Sequence, residues 1–302
     1  MPKTSDLVQK TTLVAADEIL IVDSAVVDPT SDEATKYVTE ANLSAQVQAD
    51  MKAADNTFTG TNVFPTMNVG DSNTISGINS TAEGNSTTAS GYVSHAEGNS
   101  TTASGESSHA EGSRTTASGN FSHAEGAYTT ASGDYSHAEG AHTTAYNNYS
   151  HASGYYSTAR LRSQHAQANG RFAATGDSQR TSSISHKETT DATPIECLTS
   201  TNERYVLPAD FIMACTVTIN GSNSDGTVAG FYKRQAYIKN IGGATALIGS
   251  VQTIGTDITV GSIGGIAITA DDTNDSLLVT VTGKADETIR WVCVIDAVEV
   301  GH

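Results

Sequence analysis

Large aliphatic side chains are nearly missing from the middle of the chain and return in short runs toward its C-terminal end. From Gly77 to Gly154 the only Leu, Ile, Val or Met residues are Ile78 and Val93, too few to build an ordinary core. Beyond about residue 190, apolar runs are separated by turn signals such as Asn-Gly and Gly-Gly, which is typical of an antiparallel β domain. The predicted strands are Phe211–Asn220, Val228–Lys239, Ala244–Thr253, Ile266–Thr269, Leu277–Thr282 and Thr288–Val300.

The last of these predicted strands has apolar residues on both of its faces. Trp291, Cys293 and Ile295 alternate with Val292 and Val294, and side chains alternate between the two faces of a strand. This pattern predicts a central strand of a C-terminal antiparallel β-sandwich or jelly-roll knob.

An internal repeat organises the region without large aliphatics. Glycine recurs every seven residues from Gly77 to Gly154, interrupted only by Asn147, and from Gly84 onward an alanine stands two residues before each of these positions. The heptads alternate between Thr-Thr-Ala-Ser-Gly and Ser-His-Ala-Glu-Gly. The repeating unit is therefore fourteen residues long.

The repeat predicts a thin parallel β-roll with two short strands per coil. A coiled coil is excluded because it needs large apolar side chains at its a and d positions and tolerates glycine poorly. Alternation along one strand directs Ser94 and Ala96 inward and His95 and Glu97 outward. About seven coils of 4.8 Å would give a rod of about 33 Å. Because such a roll has little core of its own, we expect it to associate with other copies.

The outward histidines and glutamates are the candidate site. Carboxylates stacked about 5 Å apart repel by about 3 kcal/mol at an effective dielectric of about 20, and the adjacent imidazoles are the available partners. We hypothesise a ladder that faces a trimer axis and has raised histidine pKa values, so that the rod would weaken as pH rises. The alternative is that both kinds of side chain face solvent. The residues of this His–Glu ladder are His95, Glu97, His109, Glu111, His123, Glu125, His137, Glu139 and His151.

Other chemistry receives little support from the sequence. No catalytic, cofactor or metal residues are assigned, since the chain lacks H-x-H, G-x-S-x-G and H-E-x-x-H motifs. Identical carboxylates along a rod offer no cleft for glycoside hydrolysis, and we therefore expect no enzymatic activity. Aromatic residues at the turns either stack on sugars or pack against a neighbouring chain, and we favour packing. Three scattered cysteines predict buried, reduced thiols.

Residues 1–70 have a different character from the repeat. Residues 17–24 form a short apolar run, and a helix is predicted from Thr39 to about Ala54. Leu43, Val47 and Met51 lie on one stripe of that helix, which is narrow enough for a short trimeric seam.

Two parts of the chain resemble known families. The S-x-A-x-G heptads are similar to the head repeats of YadA-type trimeric autotransporter adhesins, which implies a left-handed parallel β-roll packed three-fold. Here His and Glu replace the aliphatic residues that the adhesin motif carries. The segments L-I-V-D-S, A-T-K-Y-V-T-E-A-N-L and F-T-G-T-N-V-F resemble the N-terminal region of bacteriophage tail fibres, which implies attachment to a virion.

Charge and composition narrow the function further. The formal net charge is −17 and the sequence pI is about 4.7, which argues against nucleic-acid partners and against docking on anionic lipid. The first residues lack the apolar segment of a signal peptide, and no run of 18 apolar residues occurs, so neither secretion by a leader nor membrane insertion is expected.

The expected protein is mainly β, a homotrimeric phage tail fibre located in the virion. Residues 1–70 would contact tail or baseplate proteins, 71–170 would form the β-roll, 171–189 a linker, and 190–302 a tip that binds a host receptor. No cofactor is expected. The alternatives are a baseplate or capsid fibre without a receptor role, a cell-surface adhesin, and an ice-binding solenoid presenting outward threonines such as Thr88 and Thr102.

Overall fold

A computed structural model describes residues 19–21, 36–38, 67–198 and 203–302. The chain divides into two compact units, residues 1–63 and 64–302. In the first unit, strands β1 (Ile19–Ile21) and β2 (Lys36–Val38) pair in antiparallel fashion. The first of them lies within the apolar run predicted at 17–24, whereas the helix predicted over 39–54 lies outside the described residues.

The repeat region is a parallel β-solenoid, as predicted from its fourteen-residue period. Each coil contributes one longer and one shorter strand, and successive coils pair in parallel at a register of fourteen residues, as Ala110 does with Ala124. The longer strands are β3 (Met67–Asp71), β5 (Thr81–Asn85), β7 (His95–Asn99), β9 (His109–Ser113), β11 (His123–Ala127), β13 (His137–Ala141), β15 (His151–Tyr155) and β17 (His165–Asn169). The shorter strands are β4 (Thr74–Ile75), β6 (Thr88–Ala89), β8 (Thr102–Ala103), β10 (Thr116–Ala117), β12 (Thr130–Ala131), β14 (Thr144–Ala145) and β16 (Thr158–Ala159).

The solenoid interior contains almost only small side chains. Alanines from both kinds of strand form one continuous core, and Ala96, Ala103 and Ala110 have no exposed surface. Buried serines close the turns: the Ser108 hydroxyl donates a hydrogen bond to the carbonyl of Gly105 over 2.7 Å. Backbone bonds between coils, and not a large apolar core, therefore hold the rod together.

The heptad glycines are required by the close approach of successive coils. A Cβ atom on Gly112 would lie 2.1 Å from the carbonyl oxygen of Gly126, and Gly112 has a φ of +105°. A Cβ atom on Gly119, in the other heptad, would lie 2.0 Å from the carbonyl oxygen of Gly133. Neither position can accept a larger residue without moving the neighbouring coil, which explains the strict period of seven.

The C-terminal domain consists of two antiparallel sheets around one core. The larger sheet has the order β23-β22-β21-β28-β18, with β24 and β25 also paired to β22, and in the smaller sheet β27 pairs with β19, β20 and β26. Val217 and Trp291 of the larger sheet pack in the same core as Val279 and Val281 of the smaller one. The strands are β18 (Ser178–Thr189), β19 (Pro194–Glu196), β20 (Tyr205–Val206), β21 (Phe211–Ser222), β22 (Ala229–Ile241), β23 (Ala244–Leu247), β24 (Gln252–Thr253), β25 (Ile258–Val260), β26 (Ile266–Asp271), β27 (Ser276–Thr282) and β28 (Ile289–Gly301).

Strand β28 is central, as its two apolar faces predicted, but only one face is covered. Trp291, Cys293 and Ile295 are buried, whereas Val292 is 46% and Val298 is 57% exposed. The second apolar face of this strand therefore lies open in a single copy of the chain.

Residues 171–189 are not simply the linker that the sequence predicted. Residues 178–189 form β18, which pairs with β17 of the solenoid on one side and with β28 on the other. The buried positions of β18 carry small or polar side chains such as Thr181 and Ser183, and the apolar alternation that marks an ordinary strand is missing. Through β18, the solenoid and the C-terminal domain share one continuous sheet.

A buried acidic residue of the C-terminal domain forms hydrogen bonds with the last coil of the solenoid. Glu299 is 2% exposed and accepts hydrogen bonds from Arg160 Nη1 over 2.7 Å, Thr181 Oγ1 over 2.8 Å and Gln179 Nε2 over 3.0 Å. Each carboxylate oxygen therefore has a hydrogen-bond partner, which a buried polar group requires.

The cysteines are free and buried, as predicted. Burial raises the pKa of Cys197 and of Cys215 to about 12, so both thiols stay protonated. The described residues include no helix with the length and apolarity that a membrane span requires.

Candidate functional site

The structure brings the His–Glu ladder together on the outward face of the longer solenoid strands. The parallel register places each His beside the His of the next coil and each Glu beside the next Glu, as in His109↔His123 and Glu111↔Glu125. Their side chains are about one-third exposed in a single chain, for example 36% for His109 and 37% for Glu111.

The imidazole rings form one continuous stack. The ring centroids of His95 and His109 are 4.7 Å apart, and those of His109 and His123 are 4.8 Å apart, with interplanar angles of 6° and 5°. The stack continues through His137 and His151. It also includes His165, fourteen residues beyond His151.

The carboxylate partner of the histidine changes along the stack. In the first coils His95 and His109 face the Glu of their own coil, at 3.6 Å from Glu97 and 3.8 Å from Glu111. Further along, His137 and His151 face the Glu of the preceding coil, at 3.6 Å from Glu125 and 3.1 Å from Glu139. Of these four contacts, the one between His151 and Glu139 is short enough to be a hydrogen bond.

The pKa of His109 is shifted opposite to our prediction. Burial of the imidazole is the largest cause and lowers its pKa, the stacked His123 and His95 lower it further, and Glu111 and Glu97 oppose the shift. Desolvation and like charges therefore outweigh the carboxylates, and protonating His109 in the folded solenoid is unfavourable.

His151 behaves in the same way at the other end of the ladder. Burial lowers its pKa most, followed by His137 and His165, although the hydrogen bond to Glu139 acts in the opposite direction. For His109 and His151 the expected pH dependence is consequently reversed: protonation as pH falls destabilises the folded solenoid.

Aromatic side chains at the turns form two further stacks. Tyr135 lies between Phe121 and Tyr149, with ring centroids 5.0 and 5.1 Å apart, and Tyr128 stacks on His142 over 4.6 Å. These residues adopt a left-handed backbone, with φ between 55° and 59°, which costs about 1–2 kcal/mol per non-glycine residue. Their rings stack on one another within the chain but stay exposed, for example Tyr135 at 52%, so packing against a neighbouring chain remains a prediction.

A cleft at the junction between the solenoid and the C-terminal domain was not predicted from the sequence. Its volume is about 460 Å³, which is in the range of small-ligand sites. Arg204 in its wall contacts two carboxylates, Glu196 over 2.9 Å and Asp271 over 3.9 Å. The lining residues are Asn147, Arg160, Leu161, Glu203, Arg204, Val206, Pro208 and Asn274. They come from distant parts of the chain, so no local motif could have revealed the cleft.

No family model and no curated protein matches this chain. Among solved structures, the chain is similar to a tailspike protein of Acinetobacter baumannii bacteriophage Fri1, with 8% identity, a TM-score of 0.30 and coverage of 72% of this chain and 39% of that one. The Acinetobacter baumannii phage AM24 tailspike gives 7% identity, a TM-score of 0.26 and coverage of 76% and 53%. Pantoea stewartii WceF gives 8% identity, a TM-score of 0.25 and coverage of 76% of this chain and 41% of that one. This chain therefore spans at most about half the length of these proteins.

The comparison corrects the prediction that the chain is not an enzyme. The Fri1 protein is described as a capsular polysaccharide depolymerase, and WceF as a glycan biofilm modifying enzyme with a tailspike-like parallel β-helix. The prediction rested on the uniform ladder, which offers no cleft, and on the absence of catalytic motifs. The structure has a cleft elsewhere, at the junction, and Arg160 and Arg204 are among its lining residues.

Proposed function

We propose that this chain is a bacteriophage tail appendage that binds the host cell surface through its C-terminal domain. The observation that carries the proposal is the single sheet that runs from the solenoid through β18 into that domain. A sheet hydrogen-bonded along its whole length gives the binding domain a stiff support. Residues 1–70 would attach to tail or baseplate proteins, so the chain would be located in the virion.

The functional form in this proposal is a homotrimer. Its support is the outward face of the shared sheet, where the half-buried ladder is followed by Ile184 and Val298, each 57% exposed, and Val292, 46% exposed. Association of three copies along this face would cover these side chains and place the His–Glu ladder toward the axis. Three copies would also give three binding sites on one rod, and avidity rises with the number of linked sites.

The proposed ligand is a bacterial surface glycan, bound at the junction cleft. Arg204 and Asn274 supply hydrogen-bond donors there, and Val206 supplies an apolar contact, a combination that suits the hydroxyls and the apolar faces of sugar rings. The net charge of −17 favours neutral glycans over strongly acidic ones, because like charges repel.

The experiment is retention of the purified full-length chain on a panel of immobilised bacterial surface polysaccharides. We expect binding to a subset of the panel and a several-fold loss with Arg204→Gln. The matched control is Arg290→Gln, since Arg290 forms an exposed ion pair with Glu188 on another part of the domain. A reducing-end assay on the same samples measures whether the bound polysaccharide is also cleaved.

Two results would contradict the proposal. A monomeric mass by light scattering at micromolar concentration would contradict the proposed homotrimer. A stable trimer that binds neither polysaccharide nor host cells would contradict the receptor-binding role. The chain would then be a purely structural fibre.

A further inference from the structure

We propose that the His–Glu ladder binds divalent transition-metal ions, with Glu125, His137 and Glu139 as the primary site. Imidazole and carboxylate are ligands that suit Zn²⁺. One ligand atom from each of these three residues lies within 4.8 Å of the others. Two further groups of this kind occur in the first coils, His95 with Glu97 and His109, and His109 with Glu111 and His123.

The spacing of the pairs fits a bridging ion better than a direct contact. Nε2 of His137 is 3.6 Å from Oε1 of Glu125, and Nε2 of His95 is 3.6 Å from Oε2 of Glu97, which is too long for a hydrogen bond. Two ligand atoms bound tetrahedrally at about 2.1 Å from Zn²⁺ lie about 3.4 Å apart. The pairs therefore need to close by only a few tenths of an ångström to share one ion.

The ring nitrogens are also without other partners. Nε2 of His95, His109, His123 and His137 is inaccessible to solvent and has no hydrogen-bond partner within the described part of the chain. A buried polar atom left in this way is costly. A cation at this position would satisfy the nitrogen and neutralise the carboxylates that the parallel register places side by side.

Geometry also limits how many ions bind. The ring centroids of His123 and His137 lie 4.9 Å apart, whereas two Zn–N bonds of about 2.1 Å span at most about 4.2 Å, so two neighbouring imidazoles share an ion only if their nitrogens move closer together. The Glu125–His137–Glu139 group needs one imidazole only, which makes it the primary site. Since His109 belongs to both of the other groups, they can hold one further ion, and about two Zn²⁺ per chain are expected.

The test is equilibrium dialysis of the metal-stripped full-length chain against Zn²⁺ at pH 7.5, with bound metal measured by mass spectrometry. We expect about two Zn²⁺ per chain, a higher melting temperature with Zn²⁺, and the loss of about one ion in Glu125→Gln/Glu139→Gln. Glu106→Gln is the matched control, because Glu106 is an exposed acid of the solenoid turn outside the three groups. The double variant removes two adjacent like charges, so it should fold, which far-UV circular dichroism checks.

Two outcomes would overturn the proposal. One is equal Zn²⁺ binding by wild type and the double variant. The other is equal binding of Mg²⁺, which would indicate only diffuse attraction to carboxylates. A second readout is the visible absorption of bound Co²⁺, which reports nitrogen ligation and should weaken in His137→Gln.

Discussion

The solenoid interior contains buried hydroxyl groups whose removal should stabilise the protein. Thr115 has no exposed surface, and its Oγ1 has no hydrogen-bond partner among the described residues. The same holds for the equivalent residues of other coils, namely Thr87, Thr101, Thr129 and Thr143. An unsatisfied buried polar group costs about 1–3 kcal/mol, and valine has nearly the shape of threonine without the hydroxyl. Thr115→Val should therefore raise the free energy of unfolding by about 1–3 kcal/mol.

The assay is denaturant unfolding followed by two signals. Trp291 is the only tryptophan, so fluorescence reports the C-terminal domain, whereas far-UV circular dichroism reports all strands. The gain in stability should appear in the circular dichroism transition, because Thr115 lies in the solenoid.

Two neighbouring variants calibrate this measurement. The Ser122 hydroxyl is buried but donates a hydrogen bond to the carbonyl of Gly119 over 2.6 Å. Ser122→Ala should therefore lower the free energy of unfolding by about 0.5–1.5 kcal/mol. Thr116 is partly exposed on the outward side, and Thr116→Val should change the free energy of unfolding by no more than about 0.5 kcal/mol. Loss of stability in Thr115→Val of the size seen for Ser122→Ala would refute the reasoning, since the interior hydroxyl would then be satisfied.

Three further predictions address the coil spacing, the junction and the pH response. Gly112→Ala should cost at least about 3 kcal/mol in unfolding free energy, because the new Cβ would meet a carbonyl oxygen of the next coil at 2.1 Å. Arg160→Met should cost about 3–5 kcal/mol, since it leaves the buried carboxylate of Glu299 without its ion-pair partner. In EDTA, the melting temperature should fall as pH drops below about 6.5, because unfolding lets His109 and His151 regain their ordinary pKa and bind protons.

Each of these predictions has its own control. Gly170 has open space around its Cβ position, so a Gly170→Ala change should be milder than Gly112→Ala. Arg290→Gln breaks an exposed ion pair and should cost at most about 1 kcal/mol. The melts are kept above pH 5.5, and a stability that rises as pH falls toward 5.5 would contradict the lowered histidine pKa values.

The repeat was sufficient to predict the solenoid. The fourteen-residue unit, the interior of Ala, Ser and Thr, and the outward placement of His95 and Glu97 all follow from a strict local period. That period is readable because each coil repeats the same steric condition: a Cβ at Gly112 or Gly119 would collide with the next coil. Apolar alternation likewise located most strands of the C-terminal domain and the central position of β28, since burial imposes a two-residue period on a strand.

Features that join distant segments could not be predicted from local patterns. Strand β18 carries buried Thr181 and Ser183 in place of large apolar residues, so only its pairing with β17 and β28 reveals it. The junction cleft and the environment of Glu299 depend on residues far apart in sequence. The direction of the histidine pKa shift also depended on burial and on ring spacing, because desolvation and Coulomb repulsion depend on distances that the order of residues does not specify.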